Sequence, residues 1–283
     1  EGATFSGNRF MAACPAEPAG KASWDAGGKT IKWLWLKDEQ SPVVGSYDPA
    51  AHIAVAYTEG TELSFKNACA LLKFTVASED VSEVCVYTTG GSENTLYLSG
   101  NFDVDMSDQN NYKFSRTSED GSWGGNYVKI KAADGAYLEN GKTYYMTCIP
   151  VTAILNLEVV VKGVRQTIRT TSAPVEIKRS DVLDLGTITP AQRTFYLTPG
   201  EWANDGAKFE LYALNGSDFQ WFGFEAVEGK PYKVTFPNIY EKVILVRMNP
   251  AGPAHDWNGK WNQTDDIKLS GLTAGHNHFT ITG

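Results

Sequence analysis

Along most of this 283-residue chain apolar and polar residues alternate with period two, and the 3.6-residue stripe of an amphipathic helix is nearly absent. In "ILNLEVVVKG" the side chains of Leu155, Leu157, Val159 and Val161 fall on one face, with Asn156, Glu158 and Lys162 on the other. A half-buried strand requires that pattern. The run "ALLKFTVAS" repeats it, with Ala70, Leu72, Phe74 and Val76 set against Lys73 and Thr75. Further strands are predicted at "SEVCVYT", "YVKIKA", "KTYYMTCIPV", "KPYKVTF", "KVILVRM" and "HFTITG". Between them "TTGGSEN", "SEDGSWGGN", "AADGA" and "LENGK" supply glycine and asparagine for turns. Many short strands with turns at this spacing predict an all-β chain of sandwiches, with no helix longer than about three turns.

The alternation breaks once, at "DLGTITPAQRTFYLTPGEW", where "TPAQR" holds Pro190 and a new β pattern begins at Phe195. Two β-sandwich domains in tandem are therefore expected, over residues 1–190 and 194–283. At 283 residues with 42% hydrophobic content, the chain can supply a core to each.

The order of pieces in residues 1–190 resembles the fimbrillin-like (Mfa/FimA-type) surface proteins of Bacteroidetes. The matching pieces are "ASWDAGGKTIKW", "ELSFKNACALLKFTV", "GKTYYMTCIPVT" followed by "LEVVVKG", and "DVLDLGTI". The resemblance implies a transthyretin-like sandwich at the cell surface or in a fimbrium, anchored to the outer membrane through a lipidated segment upstream. It also implies assembly with other fimbrial subunits by strand donation, in which an open sheet edge accepts an incoming strand. The continuation after residue 190 departs from a shaft subunit and favours an accessory or tip position.

Residues 194–283 hold Trp202, Trp221, Trp257 and Trp261, four of the chain's eight tryptophans. In "KFELYALNG" the residues Phe209, Leu211 and Ala213 point one way, which places Tyr212 with Lys208 and Glu210 on the polar side of the sheet. Trp221 follows in "NGSDFQWFGFEAV", on a turn or strand edge. The loop "NPAGPAHDWNGKWNQTDD" then carries Trp257 and Trp261 beside Asn258, Asn262 and Gln263, with little aliphatic company. Aromatic faces beside amides suit a sugar, whose C–H face packs on a ring while its hydroxyls need donors and acceptors.

The pattern "FELYAL", "QWFGF", "PYKVTFP", "KVILVRMN" and "WNQTDDIKL" is similar to the small starch-binding carbohydrate-binding modules appended to amylases. That resemblance implies glucose contacts from Tyr212, Trp221 and Gln263, and an α-glucan as the glycan. Composition adds Trp257, Trp261 and Asn262 to the candidate set. Packing readings stand beside these: Trp261 against Ile267 and Leu269, Tyr212 in a cross-strand aromatic pair, Gln263 as a turn cap, and Trp202 in the core.

Charge and chemistry narrow the functional classes. A formal net charge of -8 and the absence of a basic run argue against binding nucleic acid or an anionic membrane surface. No stretch of about 18 apolar residues is present to span a membrane. Cys14, Cys69, Cys85 and Cys148 form no C-x-x-C pair; strand cysteines act as small hydrophobes, with one disulfide as the alternative. His276 and His278 in "GHNHF" lack a third ligand, so no metal or other cofactor is expected, although a structural calcium at Asp256 or Asp265 stays open. Asp265 and Asp266 are adjacent and diverge in a strand, which is poor for paired acid–base work, and no nucleophile or phosphate motif occurs. The expectation is a non-catalytic adhesin or fimbrial accessory protein displaying a glycan-binding sandwich. The alternatives are a structural fimbrial subunit whose aromatic domain contacts its neighbours, and a starch-capturing surface lipoprotein.

Overall fold

A computed structural model describes the chain except for residues 1–8, 17–21, 26, 91–95, 109, 117–124, 273–276 and 283. Parts of the turns "SEDGSWGGN" and "TTGGSEN" lie outside the described residues. The protein is all-β: the longest helical segment among the described residues is the seven-residue 3-10 stretch Gly200–Gly206. Among the described residues no helix is long and apolar enough to cross a membrane. The chain forms two compact units, Glu1–Thr189 and Pro190–Gly283.

In the first unit the eleven-residue strand Val151–Val161 lies between Val81–Thr89 and Val164–Thr170, in a sheet that continues through Tyr127–Lys131 to Glu39–Gln40. A three-stranded sheet sets Ala70–Val76 between Thr143–Cys148 and Val182–Ile188, the last pairing being parallel. One core joins these sheets. Leu155, Leu157, Val159 and Val161 enter it at 4% exposure or less, together with Leu72, Phe74 and Val76. The alternation works because the pleat sends successive side chains to opposite faces, and each buried Leu, Val or Phe removes enough apolar surface to stabilise the fold by about 1.5–3 kcal/mol.

A second core of the same unit gathers Ile31, Leu34 and Leu36 with Val55, Phe102, Val104 and Met106. It is built on Thr30–Leu36, Gly100–Asp105 and Ala54–Thr58. The turns between strands follow their chemistry. In "AADGA" the Ala136 N–H donates to the Ala133 carbonyl at 2.9 Å, with Gly135 at φ 77°, a left-handed conformation that glycine adopts without strain. All four cysteines are free thiols; Cys69, Cys85 and Cys148 are buried and Cys14 is exposed.

The second unit stacks two sheets. One orders Tyr232–Pro237, Gln192–Thr198 and His278–Thr280; the other, of five strands, orders Asp218–Gly223, Lys208–Asn215, Lys242–Met248 and Lys260–Gln263, with Ile267–Lys268 also paired to Lys242–Met248. Phe209 meets Tyr232 with ring centroids 4.8 Å apart, and Phe222 meets Phe236 at 5.8 Å, so the core lies between the sheets. Phe209, Leu211 and Ala213 face it, as their spacing predicts. Trp202 does not join it: the residue sits half-buried in the Gly200–Gly206 segment, where its carbonyl accepts from Arg247 Nε at 2.9 Å.

Candidate functional site: an aromatic outer face of the second unit

The opposite face of the five-stranded sheet is not polar, contrary to the expectation for the side bearing Tyr212. Residues directly opposite one another in antiparallel strands share a face. Tyr212 pairs with Trp221 on one side and Ile244 on the other, Glu210 with Val246, and Lys208 with Met248. The result is a small apolar cluster of Trp221, Ile244, Val246 and Met248, with half-buried Tyr212 and Leu214 packed against it.

Four rings converge there. Tyr212 lies 4.7 Å from Trp221 and 4.8 Å from Trp257, Trp221 lies 4.8 Å from Trp257, and Phe219 lies 5.3 Å from Tyr212. The three Tyr–Trp and Trp–Trp pairs are tilted between 58° and 67°, the edge-to-face arrangement in which ring quadrupoles attract. Exposure divides the set. Trp221 is 8% exposed and packs beneath its neighbours, whereas Trp257 at 38% and Phe219 at 58% present ring surface to solvent. Trp221 lies within the edge strand Asp218–Gly223 and is not a bare platform.

Backbone bonds seat Trp257. Asn249 N–H donates to Gly259 O at 2.8 Å and closes the loop, and Glu210, itself 4% exposed, accepts from His255 N–H at 2.9 Å. His255 adopts φ 57°, a left-handed conformation that costs a non-glycine residue about 1–3 kcal/mol and persists only where its surroundings hold it. Asp256 Oδ1 then accepts from Asn258 N–H at 2.8 Å and caps the short 3-10 turn Trp257–Gly259. Gly259 permits the close approach, since a Cβ there would lie 2.4 Å from Pro253 O.

Of the six predicted residues, four share this face. Gln263 stands opposite Val246, and its Oε1 accepts from Lys260 Nζ at 2.7 Å, while that ammonium sits 5.3 Å from the Trp257 ring centroid. Gln263, Lys260 and Trp257 therefore form one exposed polar–aromatic group beside Tyr212 and Trp221. Trp261 and Asn262 go elsewhere. Asn262 stands opposite Arg247, one residue from Gln263 and therefore on the other face; a bulge between Arg247 and Met248 then sets Lys260 opposite Met248 and leaves Trp261 unpaired in the ladder, its ring 4.9 Å from the Arg247 guanidinium. Arg247 is held there by Trp202 O, Asn204 O and Asp205. Asn262 Oδ1 is engaged by Gln263 N–H at 2.9 Å. Phe219 and Lys260 are the residues sequence reasoning missed; the alternation of Phe219 and Trp221 in "DFQWFG" was the signal for the first.

Such a surface can stack an apolar ring face and offer amide and ammonium donors at its rim. Among the described residues no group of three or more His, Cys, Asp or Glu is placed to hold a metal. Asp266 pairs with Lys242 at 2.7 Å, and His278 Nε2 lies 2.8 Å from Thr198 Oγ1; His276 lies outside the described residues.

No protein-family model matches the chain, and no curated protein matches it. Among solved structures it is similar to a candidate cell adhesion protein from Bacteroides ovatus ATCC 8483, at 15% identity over 66% of this chain and 67% of the other, with a TM-score of 0.31. It is also similar to a candidate cell adhesion protein from Bacteroides uniformis ATCC 8492, at 9% identity over 75% of this chain and 69% of the other, with a TM-score of 0.30. At these scores no property of those proteins is carried over to this chain.

Proposed function

We propose that this chain is a non-catalytic cell-surface adhesin whose second unit binds glycan on the outer face of its five-stranded sheet. One observation carries the reading: the Trp257 ring, 38% exposed, is held by a hydrogen-bonded loop between half-buried Tyr212 and buried Trp221 on one side and the exposed side chains of Lys260 and Gln263 on the other. A sugar ring stacked on Trp257 would bring its hydroxyls to the Gln263 amide. Binding of one or two units at so open a face would be weak, roughly micromolar to millimolar, which suits a protein displayed in many copies. An α-glucan is the first glycan to try, from the resemblance of "WNQTDDI" to the starch-binding element. The fimbrillin-like order of pieces in the first unit supports display at the cell exterior, with strand donation as its means of assembly.

The test is mobility of the full chain in native gels cast with soluble starch and other polysaccharides, with Trp257→Ala and Phe219→Ala alongside. Retardation of the wild type that disappears in Trp257→Ala, at an unchanged melting temperature, is the expected result. A wild type that neither gels nor a glycan array retain would overturn it. A second reading is favoured by Phe219, which at 58% exposure is the barest large apolar ring of the second unit. Protein interfaces bury such rings, and a structural fimbrial component would use this face against another subunit.

A further inference from the structure

The first unit contains a cleft of about 650 Å³ where residues of its two cores meet. Its walls come from the edge strand Lys113–Arg116 with Gly100–Asp105 beside it, and from Val175–Ile177 with the residues that follow. The volume lies within the range of small-molecule sites, about 300–1,000 Å³.

Two features set the chemistry of this cleft. The first is a cation that no described residue neutralises. Glu176 and Lys178 line the cleft and pair with each other at 3.2 Å, which leaves Arg179 as the lining cation in no described ion pair. Its described partners are neutral: Nη1 donates to Asn67 O at 3.2 Å and to Ser180 Oγ at 3.5 Å, and the guanidinium lies 4.9 Å from the centroid of the Tyr112 ring. Tyr112 is 5% exposed, so the platform under Arg179 is fixed. A guanidinium seated over a fixed ring loses little freedom when it takes a carboxylate in two parallel hydrogen bonds. The second feature is a group of three amides, Asn101, Asn110 and Asn111, facing the same space as the Phe114 ring. Amides both donate and accept, which hydroxyl groups require, while the ring suits an apolar C–H face.

We propose that this cleft binds an acidic oligosaccharide, with a sugar carboxylate on Arg179 and neighbouring hydroxyls on Asn101, Asn110 and Asn111. The site is independent of the aromatic face of the second unit. A net charge of -8 disfavours indiscriminate collection of anions, so binding depends on the local charge of Arg179.

The test is calorimetric titration of the full chain with tri-galacturonic acid, with maltotriose and a triglutamate peptide as comparisons. The acidic trisaccharide binds, and more tightly than either comparison. Arg179→Gln weakens it about tenfold or more, the loss of a charge-assisted bidentate pair. Trp257→Ala leaves it unchanged, which separates this site from the proposed glycan face. Since Arg179 also holds the Asn67 carbonyl, the melting temperature of that variant is measured; should it fail to fold, Asn111→Ala, at an exposed position, decides the matter with a several-fold loss. Absence of binding by tri-galacturonic acid, equal affinity in the folded Arg179 variant or in Asn111→Ala, or equal affinity for maltotriose or triglutamate would overturn the proposal.

Discussion

Tyr212 and Trp221 stand directly opposite one another on antiparallel strands, ring centroids 4.7 Å apart and planes at 58°. The pair joins the two properties of the outer face, because Trp221 packs into an apolar cluster while Tyr212 carries that cluster up to Trp257 and Phe219. Support and display are thereby divided between different rings.

That division predicts opposite outcomes for two neighbouring substitutions. Trp221→Ala removes a ring that is 8% exposed and should destabilise the second unit by about 3–5 kcal/mol. Phe219→Ala, at 58% exposure, should stay within about 0.5 kcal/mol. Denaturant unfolding of the full chain followed by tryptophan fluorescence measures both; equal costs would mean that the cluster does not rest on Trp221.

In the first unit, Leu157 is 4% exposed within the main core, on the strand that anchors the largest sheet. Leu157→Ala should cost about 2–5 kcal/mol in chemical unfolding. A loss well under 1 kcal/mol would show that this face is not packed as described.

Asp48 gives the first unit an acid-sensitive point. Burial alone would raise its carboxyl, but the Lys37 ammonium and the N–H groups of Ser41 and Ala50, each at 2.9 Å, outweigh burial and hold it below the ordinary carboxylate range. A depressed carboxyl contributes stability that is present above its unfolded value of about 3.9 and is lost as pH falls through the folded value. Stability should therefore drop below about pH 4, and Asp48→Asn should flatten that drop while costing about 1–3 kcal/mol at neutral pH. Unfolding curves between pH 2 and pH 7 decide it; a wild-type slope retained in the variant counts against Asp48.

Thiol reactivity should follow burial. Desolvation pushes Cys69 up to about 12 and Cys85 up to about 11, and raises Cys148 as well, so none of the three forms thiolate readily in the folded protein. Titration with Ellman's reagent near pH 8 should find one reactive thiol, Cys14, in the native protein and four in denaturant.

Strand parity was legible because the pleat imposes it locally, and the runs at Ala70–Val76 and Val151–Val161 bury the residues their spacing named. The character of the outer face was not legible. Glu210 reads as a solvent-facing charge, and its burial depends on a His255 N–H 45 residues later. Nor does any local signal announce the bulge between Arg247 and Met248, which displaces Trp261 from the ladder, whereas the separation of Asn262 from Gln263 follows from strand alternation. Trp202 is expected in the core, while the bond from Arg247 that fixes its segment comes from a strand 45 residues away.

The parallel pairing of Val182–Ile188 with Ala70–Val76 also sets a timetable for the newly made chain. Contacts such as Lys73 with Asp184 join residues 111 apart, so the small sheet of the first unit cannot close until nearly all of that unit has been synthesised. Loop-closure entropy is met before the distant strand returns any packing, and topologies rich in such contacts fold over milliseconds to seconds. Until then Ala70–Val76 carries one unpaired edge, open to mispairing with other chains, and the first unit is the part of the nascent protein most in need of protection from aggregation.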